Sequence, residues 1–513
     1  MKNPGPSSSL WMAKHAPPPF PSLDEDTSAD VCIIGAGIAG LTTAYLLARE
    51  GKRVVVLDAA DPGAGQTGRT TAHLASVLDD RFHELEKLHG EKGARLAAES
   101  HMAAINRIEA IVREERIACG FERVTGYLFA GPGQPREELE KELGAARRAG
   151  FADAAMVSRA PLGTFDTGPA IAFPAQAQFH PLDYLMTLAK AIATRGGRIF
   201  CRARAEEFEG GRSAHVKTTD GRTVSAGAIV IATNTPINDR FAIHTKQAAY
   251  RSYVIAGRVP RGSVSRALYW DTEDPYHYAR LQPAEDGEEM LIVGGEDHKT
   301  GQATDFEARY ARLEAWTRER FPLTDVAYRW SGQVLEPIDG LAFIGRNPLD
   351  EDNVYVVTGD SGQGMTHGTI AGILITDLIA GRSNPWTEIY DPSRKTLRAA
   401  GEFARENLNV AAWYTEWVTG GEVSSEEDIP PGKGAILRRG FSKVAVYRDP
   451  EGQVHTLSAA CPHLGCIVHW NAVETSWDCP CHGSRFDPFG KVLCGPAISN
   501  LRPADAPRPA VAK

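Results

Sequence analysis

The residues with the clearest chemistry lie near the end of the chain, where cysteine and histidine occur together at short spacing. Cys461 and His463 form a C-x-H pair, and Cys479 and His482 form a C-x-x-H pair that is separated from Cys466 by twelve residues. Two thiolates suit one iron of a [2Fe–2S] cluster, and two imidazoles suit the other. A Cys₂His₂ set also suits structural zinc. Zinc fingers usually group like ligands, so the mixed pairs favour an iron–sulfur cluster.

A second candidate site is a glycine-rich turn near the start of the chain. Residues 31–40 read V-C-I-I-G-A-G-I-A-G, an apolar strand that runs into G-x-G-x-x-G, and a helix follows to residue 49. Gly35 permits the tight turn, Gly37 lets the backbone meet a pyrophosphate, and Gly40 packs helix on strand. The helix N-terminus offers free N–H groups to phosphates. The pattern predicts a dinucleotide site.

Three further features extend this site. Asp58 ends the next strand, where a carboxylate binds ribose hydroxyls. A polar loop spans residues 65–73, and a glycine-bearing loop at 358–366 runs into a helix. The predicted cofactor-binding residues are Gly35, Gly37, Ile38, Ala39, Gly40, Asp58, Thr67, Arg69, Thr70, Thr71, His73, Gly359, Gly362, Gly364, Met365 and Thr366.

These loops, with the segment P-I-D-G-L-A-F-I-G-R at 337–346, resemble the FAD-dependent oxidoreductases of the D-amino-acid-oxidase-like superfamily. That superfamily includes glycine and sarcosine oxidases and dimethylglycine dehydrogenase. The resemblance covers roughly residues 29–385. It implies an FAD domain built from separated segments, about 29–80, 170–240 and 330–385, with a substrate domain, about 81–169 and 241–329, inserted between them. It also implies that the loop 359–366 lies along the flavin.

His73 has two interpretations. In dimethylglycine and sarcosine dehydrogenases, a histidine in a similar Thr-x-His loop is bonded covalently to the flavin, and Thr71-Ala72-His73 resembles that loop. The alternative is a histidine that only hydrogen-bonds the flavin or the backbone. We favour the second interpretation and expect non-covalent FAD.

The C-terminal motif resembles the Rieske proteins of the cytochrome bc type. The resemblance covers about residues 430–505, including Gly495-Pro496-Ala497, which is similar to that family's proline loop. It implies a division of the clustered side chains in which one iron is bound by Cys461 and Cys479, the other iron is bound by His463 and His482, and a disulfide joins Cys466 to Cys481.

One position departs from the high-potential members of that family. Ser484 keeps the hydroxyl that hydrogen-bonds a cluster sulfide, but Phe486 stands where those members have a tyrosine. Losing one such hydrogen bond lowers the potential. Because Rieske potentials span about −150 to +300 mV, we expect a value below the top of that range.

The substrate wall is expected between the FAD segments, in residues 269–280 and 291–301. Tyrosine, histidine and arginine are the types that orient a carboxylate, an amine or an aromatic ring. Alternate residues of a strand face opposite sides, so about half of the candidates cannot touch substrate. The candidates are Tyr276, His277, Tyr278, Arg280 and His298, whereas three histidines of the charged helical stretch 80–118 are predicted at the surface, His83, His89 and His101.

Composition limits the classes of protein that fit. The 513 residues suggest about three domains, and 56 basic against 65 acidic residues give a net charge of −9, with no nucleic-acid footprint. The uncharged stretch 31–48 fits a buried strand and helix better than a transmembrane segment. We expect a cytoplasmic protein without a signal peptide or membrane span.

The predicted fold is an α/β, or α+β, FAD-binding Rossmann-like domain with an inserted mixed-sheet substrate domain, followed by a small all-β Rieske domain. The predicted order is an N-terminal arm (1–28), the oxidoreductase (29–420), a linker (421–434) and the Rieske domain (435–513). Residues 1–28 are expected to be a loose arm.

Three functions follow from these features. The leading hypothesis is a dehydrogenase that oxidises a small molecule, such as an amine or amino acid, and passes electrons from flavin through the cluster to an external one-electron acceptor. The second is the reverse flow, from an external donor through the cluster to the flavin, for reductive or monooxygenase-like chemistry. The third is a non-catalytic redox relay or sensor. A Rieske oxygenase is disfavoured because no clustered His-His-carboxylate motif for mononuclear iron is evident.

Overall fold

The computed structural model of the protein describes residues 7–13, 17–237, 243–284, 287–348 and 350–505. Within these ranges the chain forms two large sheets and two small ones. The helices, numbered along the chain, are α1 Leu10–Ala13, α2 Ile38–Arg49, α3 Phe82–Glu114, α4 Arg136–Ala149, α5 Pro181–Thr194, α6 Phe306–Arg320, α7 Gly364–Ile379, α8 Thr387–Tyr390 and α9 Ala400–Trp413.

The strands of the two large sheets are β1 Thr27–Ile34, β2 Val54–Leu57, β3 His73–Leu74, β4 Glu122–Phe129, β5 Ala155–Val157, β6 Ala170–Gln178, β7 Arg198–Phe200, β8 Ala205–Glu209, β9 His215–Thr218, β10 Thr223–Ile231, β11 Gln247–Val259, β12 Leu268–Asp271, β13 Tyr278–Pro283, β14 Glu289–Lys299, β15 Asp325–Pro337, β16 Phe343–Arg346 and β17 Val354–Thr358. Those of the small sheets are β18 Lys433–Arg439, β19 Ser442–Arg448, β20 Val454–Ser458, β21 His469–Asn471, β22 Ser476–Asp478, β23 Arg485–Phe486 and β24 Val492–Cys494.

The first large sheet carries the dinucleotide loop. Its order is β16-β17-β10-β1-β2-β7, and β17, β10, β1, β2 and β7 are parallel. Residues 31–34 and 54–57 are buried throughout, as expected of parallel strands covered on both faces. Helices α2 and α7 pack together on this sheet, so the turn before α2 and the loop before α7 open on the same side.

The second large sheet forms the wall opposite that opening. Its order is β15-β11-β14-β13-β12-β4-β6-β3, with β5 beside β6. Strands β11, β13, β14 and β15 pair antiparallel, and β12 runs parallel to β4. Because its strands come from both sides of the nucleotide-binding segments, the sheet draws together residues far apart in the chain.

The C-terminal part is all-β and contains two small sheets. Strands β18, β19 and β20 form a meander, and β21 to β24 form a second antiparallel sheet. The two cluster-motif loops, 461–466 and 479–484, lie at one end of the small sheet formed by β21 to β24. The predicted fold class is therefore confirmed for both parts of the molecule.

The N-terminal segment differs from its prediction as a loose arm. Residues 1–6 and 14–16 lie outside the described residues, but Trp11 is completely buried and its indole N–H donates to the Thr70 carbonyl oxygen at 2.6 Å. Ser9 Oγ donates to the Gly68 carbonyl oxygen at 2.5 Å. Residues 7–13 therefore pack against the polar loop 65–73, because Trp11 contributes a large apolar surface there.

The predicted linker also has structure. Val423 forms a β-bridge with Leu437, and the Glu422 backbone N–H donates to the Ile436 carbonyl oxygen at 2.7 Å. This segment therefore lies along β18. No helix among the described residues combines the length and apolar character that crossing a membrane requires.

Candidate functional site: a nucleotide cavity beside a cysteine–histidine cluster

A cavity of about 370 Å³ lies between the two large sheets. Its lining comes from the turn before α2, the segment 58–73, the start of α7 and the facing strands of the second large sheet. The C-terminal part contributes the segment 492–498, which begins with β24. Its volume falls in the range typical of cofactor and ligand sites.

Glycines shape the phosphate end of this cavity. Gly35 has φ +113°, and a β-carbon there would collide with the Ala232 carbonyl oxygen. A β-carbon on Gly40 would collide with the Gly35 carbonyl oxygen. Gly37 faces Thr67, whose Oγ1 accepts the Ile38 backbone N–H at 3.1 Å. These contacts require glycine and leave the N-terminus of α2 open to a phosphate.

Asp58 lines the end of the cavity where the ribose of a dinucleotide is expected. Its carboxylate accepts the backbone N–H groups of Ala36 and Ala60 at 2.6 and 2.7 Å. Burial raises the pKa of Asp58 to about 6, although these two hydrogen bonds oppose the shift. The carboxylate is therefore fixed beside the turn, as a ribose-binding acid must be.

Most predicted cofactor-binding residues line the cavity, and two do not. Gly40 serves the helix–strand contact, and Thr366 turns its hydroxyl to the Gln363 carbonyl oxygen and the His101 ring. The residues that do line it are Gly35, Gly37, Ile38, Ala39, Asp58, Thr67, Arg69, Thr70, Thr71, His73, Gly359, Gly362, Gly364 and Met365. The open turn, the acid and the cavity between them fit a dinucleotide such as FAD.

His73 lies on β3 with its ring at the cavity. Its Nδ1 is 3.0 Å from Thr71 Oγ1, and its ring meets Tyr278 edge-on with centroids 5.4 Å apart. Burial, together with the nearby Arg280 charge, lowers the pKa of His73 to about 3. A neutral imidazole therefore faces the cavity, and its attachment to FAD stays a prediction.

Tyr276 and Tyr278 are the substrate-wall candidates that the structure brings to the cavity. The Tyr276 hydroxyl donates to Asp79 Oδ2 at 2.9 Å, and the Tyr278 hydroxyl lies 2.8 Å from Ser252 Oγ. Asp79 and Ser252 line the cavity as well. The sequence analysis did not find them, because a single aspartate in a loop or a single serine within a strand carries no local signal.

The other three candidates lie elsewhere and are not among the described lining residues. His277 Nδ1 is 3.1 Å from Asp271 Oδ2, and its ring stacks on Trp316. Arg280 Nη2 donates to the Phe179 carbonyl oxygen at 3.2 Å, and its guanidinium lies over the Trp11 ring. His298 stacks on Tyr253 beneath α6. Our proposal for the substrate wall therefore narrows to Tyr276 and Tyr278.

His101 is buried, so its predicted surface position is wrong. Its Nδ1 lies 2.8 Å from Thr366 Oγ1, and its Nε2 lies 3.2 Å from Nε2 of His367. His367 in turn holds the Asp360 carbonyl oxygen at 2.8 Å. Burial lowers the pKa of both histidines. The charged helix α3 thus turns His101 inward to support the start of α7.

The two cysteines and two histidines of the C-terminal motif converge. The Cys461 and Cys479 thiols are hydrogen-bonded to each other, which is the main cause of a lowered pKa at Cys461. The His463 and His482 rings lie with centroids 4.9 Å apart. Nδ1 of His482 is buried and has no hydrogen-bond partner among the described residues. Two sulfurs and two imidazoles at one place fit a [2Fe–2S] cluster.

Cys466 and Cys481 are joined by a disulfide with a Cα–Cα distance of 6.5 Å. Both sulfurs lie close to the Cys479 sulfur, in a group with metal-ligand spacing. Since a disulfide sulfur is not a thiolate, only Cys479 of this group remains a ligand candidate. The bond connects the two cluster-motif loops.

The cluster motif rests directly on the second large sheet. The Gly483 carbonyl oxygen accepts Gln333 Nε2 at 2.9 Å, and Gln333 lines the cavity. The Pro480 carbonyl oxygen accepts Gln302 Nε2 at 2.9 Å. The His244 ring contacts the rings of His463 and His482, with centroids 5.2 and 6.2 Å apart. The Gln333 side chain therefore reaches from the cavity wall to Gly483, the residue after His482.

A buried group of charged side chains also connects the C-terminal part of the chain to the part that contains the two large sheets. Glu474, 1% exposed, lies 3.4 Å from Arg251, 3.9 Å from Arg69 and 3.8 Å from Arg485. Burial alone would raise the pKa of Glu474, but the three guanidinium charges outweigh it and lower the pKa. Asp478 pairs with Arg485 at 2.9 Å. Three cations therefore share two carboxylates inside the interface.

Sequence comparison agrees with this division of the chain. The family described as FAD dependent oxidoreductase matches residues 30–378, and the Rieske [2Fe-2S] domain matches residues 420–505. A Bacillus subtilis (strain 168) protein named as a Rieske 2Fe-2S iron-sulfur protein, YhfW, is 34% identical over 96% of this chain and 97% of its own. Gamma-glutamylputrescine oxidoreductase of Escherichia coli (strain K12) is 26% identical over 74% of this chain and 92% of its own.

Solved structures show the same fold for the larger part. Glycine oxidase from Geobacillus kaustophilus has a TM-score of 0.59 at 16% identity, covering 72% of this chain and 99% of its own. Fold and site together define a flavin enzyme that carries an iron–sulfur domain. The chain belongs to the FAD-dependent oxidoreductase family of the D-amino-acid-oxidase type and ends in a Rieske domain. It is an oxidoreductase whose cofactors are FAD and a [2Fe–2S] cluster.

Proposed function

We propose that the protein is a dehydrogenase that oxidises a small amine or amino acid and sends the electrons to an external one-electron acceptor through its Rieske domain. When bound, FAD takes electron pairs from substrate and the cluster carries single electrons. The substrate class is supported by relatives named for gamma-glutamylputrescine and for glycine. We place FAD and the cluster on the lining residues and ligand candidates described above.

The contact between Gln333 and Gly483 carries this proposal. Gln333 is 1% exposed, lines the cavity and donates to the loop that holds two ligand candidates, Cys479 and His482. A β-carbon on Gly483 would collide with Ala249 and with the Gln333 amide. The motif loop therefore lies flat on the cavity wall, as short-range electron exchange between the two sites requires.

An anaerobic potentiometric titration tests the direction of flow. Flavin is followed by absorbance and the cluster by electron paramagnetic resonance. A cluster potential above that of the flavin supports substrate oxidation with electrons leaving through the Rieske domain. A cluster potential well below it contradicts the proposal and favours the reverse flow, and a protein without a Rieske signal contradicts the cluster ligands.

A further inference from the structure

The substrate end of the cavity is marked by one carboxylate. Asp79 Oδ2 accepts the Tyr276 hydroxyl at 2.9 Å, and a β-carbon on Gly362 would lie 2.7 Å from the same oxygen. Gly362 belongs to the loop that we expect along the flavin. Asp79 is therefore beside both the aromatic wall and the flavin loop, where a substrate's reacting end has to sit.

No described residue that lines this end of the cavity carries a fixed positive charge. Among the described lining residues there is no lysine, and the arginines are Arg69 and Arg204. Arg69 donates to the Ser331 carbonyl oxygen at 2.9 Å and belongs to the buried charge group around Glu474. Arg204 follows Ala203, whose N–H donates to the Asp58 carbonyl oxygen at 2.9 Å, so it lies at the ribose end. Among the described lining residues, a substrate carboxylate would therefore meet no cationic side chain beside Asp79.

Asp80 and Glu336 are two other buried carboxyl groups that interact with the charge of Asp79. Ser361 Oγ bridges Asp80 and Glu336 at 2.8 and 2.7 Å, and Asp360 Oδ1 accepts the Leu335 N–H at 3.2 Å. Burial raises the pKa of all four carboxyl groups, so each gains free energy from a nearby cation. Arg81 does not line the cavity among the described residues; its charge opposes the rise in the pKa of Asp79 and Asp80, and its Nη2 donates to the Asp271 carbonyl oxygen at 3.0 Å.

Aromatic faces supply the second, independent observation. The rings of Tyr276 and Tyr278 have centroids 5.3 Å apart, and both line the cavity together with Trp270. An ammonium group is attracted to aromatic faces, and more strongly where water is excluded. A carboxylate next to the same faces would be repelled by their negative quadrupole.

We propose that the substrate is a cationic amine without an α-carboxylate, and that Asp79 binds its ammonium group against the Tyr276 and Tyr278 rings. This deepens the proposed function and rests on it for the oxidation that follows. Asp79 is a substrate-binding residue here, and amines are selected over amino acids because the described lining residues place no cationic side chain beside it.

Matched ligand pairs test the proposal on the oxidised, FAD-containing protein. The pairs are butylamine with norvaline, benzylamine with phenylglycine, and 1,4-diaminobutane with ornithine; within each pair the second compound adds only the α-carboxylate. Binding is measured from the perturbed flavin absorption and from the shift in melting temperature. We expect at least one amine to bind tenfold or more tightly than its amino acid. An amino acid that binds as tightly as its amine in every pair, or no binding by any amine, overturns the proposal.

Two variants test whether the negative charge of Asp79 binds the amine. Asp79→Asn keeps the shape and removes the charge, and we expect it to weaken binding of the preferred amine at least tenfold while FAD content stays unchanged. Asp80→Asn is the control, because Asp80 is the adjacent carboxyl but is not among the described lining residues. Equal binding by Asp79→Asn and the native protein contradicts the role of Asp79. Because binding does not require electrons to reach the cluster, this result is independent of the potentiometric test of electron flow.

Discussion

Phe486 is the residue at which the cluster environment departs from high-potential Rieske proteins. Its ring is completely buried, and the residue lies opposite Trp477 in the register of β22 and β23, while Ser484 Oγ accepts the Ala497 N–H at 3.0 Å. Ser484 also hydrogen-bonds the Cys461 sulfur. The hydroxyl that remains is therefore held in place, and the tyrosine hydroxyl is the one that is missing.

Phe486→Tyr is expected to raise the cluster midpoint potential by about 60 mV, since one hydrogen bond of about 1.4 kcal/mol corresponds to that shift for one electron. The potential is measured by redox titration with electron paramagnetic resonance. Phe489→Tyr, at an exposed position, is the control. An unchanged or lower potential in Phe486→Tyr would show that the new hydroxyl does not reach a cluster sulfur.

Trichloroacetic acid is expected to release free FAD into the supernatant. Thr71 Oγ1 holds Nδ1 of His73, and the low pKa keeps the ring neutral. The flavin content of supernatant and pellet is measured by absorbance at its visible maximum. Yellow colour that stays with the pellet would establish a covalent bond, and His73→Asn would then release it.

At the scale of elements, the connecting segment after α9 is fastened to the Rieske domain. Tyr414 and Trp417 donate to the carbonyl oxygens of Leu464 and Gly465 at 2.8 and 3.0 Å. His469 on β21 pairs with Glu416 at 3.0 Å and with Glu422 at 3.3 Å. The segment between the two domains therefore covers the first cluster-motif loop.

His469 makes this attachment depend on pH. Burial lowers its pKa, but the hydrogen bonds and charges of Glu416 and Glu422 outweigh burial and raise it to about 9. The stabilisation is thus complete below about pH 6.5 and is lost as the pH rises through 9. We expect His469→Gln to lose on the order of 2 kcal/mol at pH 6 and almost nothing at pH 10.

Urea unfolding of the Rieske domain, followed by its visible absorbance, measures this difference. His215→Gln is the control, since His215 lies on β9 of the other domain and its ring nitrogen contacts only the nearby Ser213 carbonyl oxygen among the contacts described. An equal loss at both pH values would contradict the ion pair.

Sequence predicted the elements whose signals are local and missed those that depend on distant partners. The glycines of residues 35–40 and the cysteines and histidines of 461–482 have fixed spacing, so their chemistry is visible before folding. Arg280 has the same strand parity as Tyr278, but its guanidinium is drawn to Trp11, 269 positions earlier in the chain. Glu474 meets Arg69 and Arg251 only after the domains dock.

At the scale of the whole molecule, Gln333 connects the cavity wall directly to the second cluster-motif loop. Gln333→Leu is expected to slow cluster reduction after a light flash that reduces the flavin, by tenfold or more, because the hydrogen bond to Gly483 is lost. Flavin and cluster bands are followed in the visible spectrum. Gln302→Leu is the matched control, since Gln302 also donates to the cluster motif, at Pro480, but is not among the described residues that line the cavity. Equal rates in both variants would contradict this route.

The docking itself depends on Glu474. Glu474→Gln leaves Arg69, Arg251 and Arg485 with Asp478 as their remaining carboxylate in the group, and we expect it to cost about 3–5 kcal/mol of stability because buried charge becomes uncompensated. The melting temperature and the protease sensitivity of residues 419–432 measure the loss. Glu427→Gln, on the exposed side of that segment, is the control. Unchanged melting would show that the two domains are held by other contacts.

The loop 492–498 of the Rieske domain forms part of the cavity wall, and the two motif loops lie against the sheet. Docking therefore narrows the route into both cofactor sites at once. We expect this docking to impose an order of maturation, in which FAD and the cluster are inserted before the two domains close. A newly made chain would then accept its cofactors while the domains are apart, and a mature chain would exchange them more slowly.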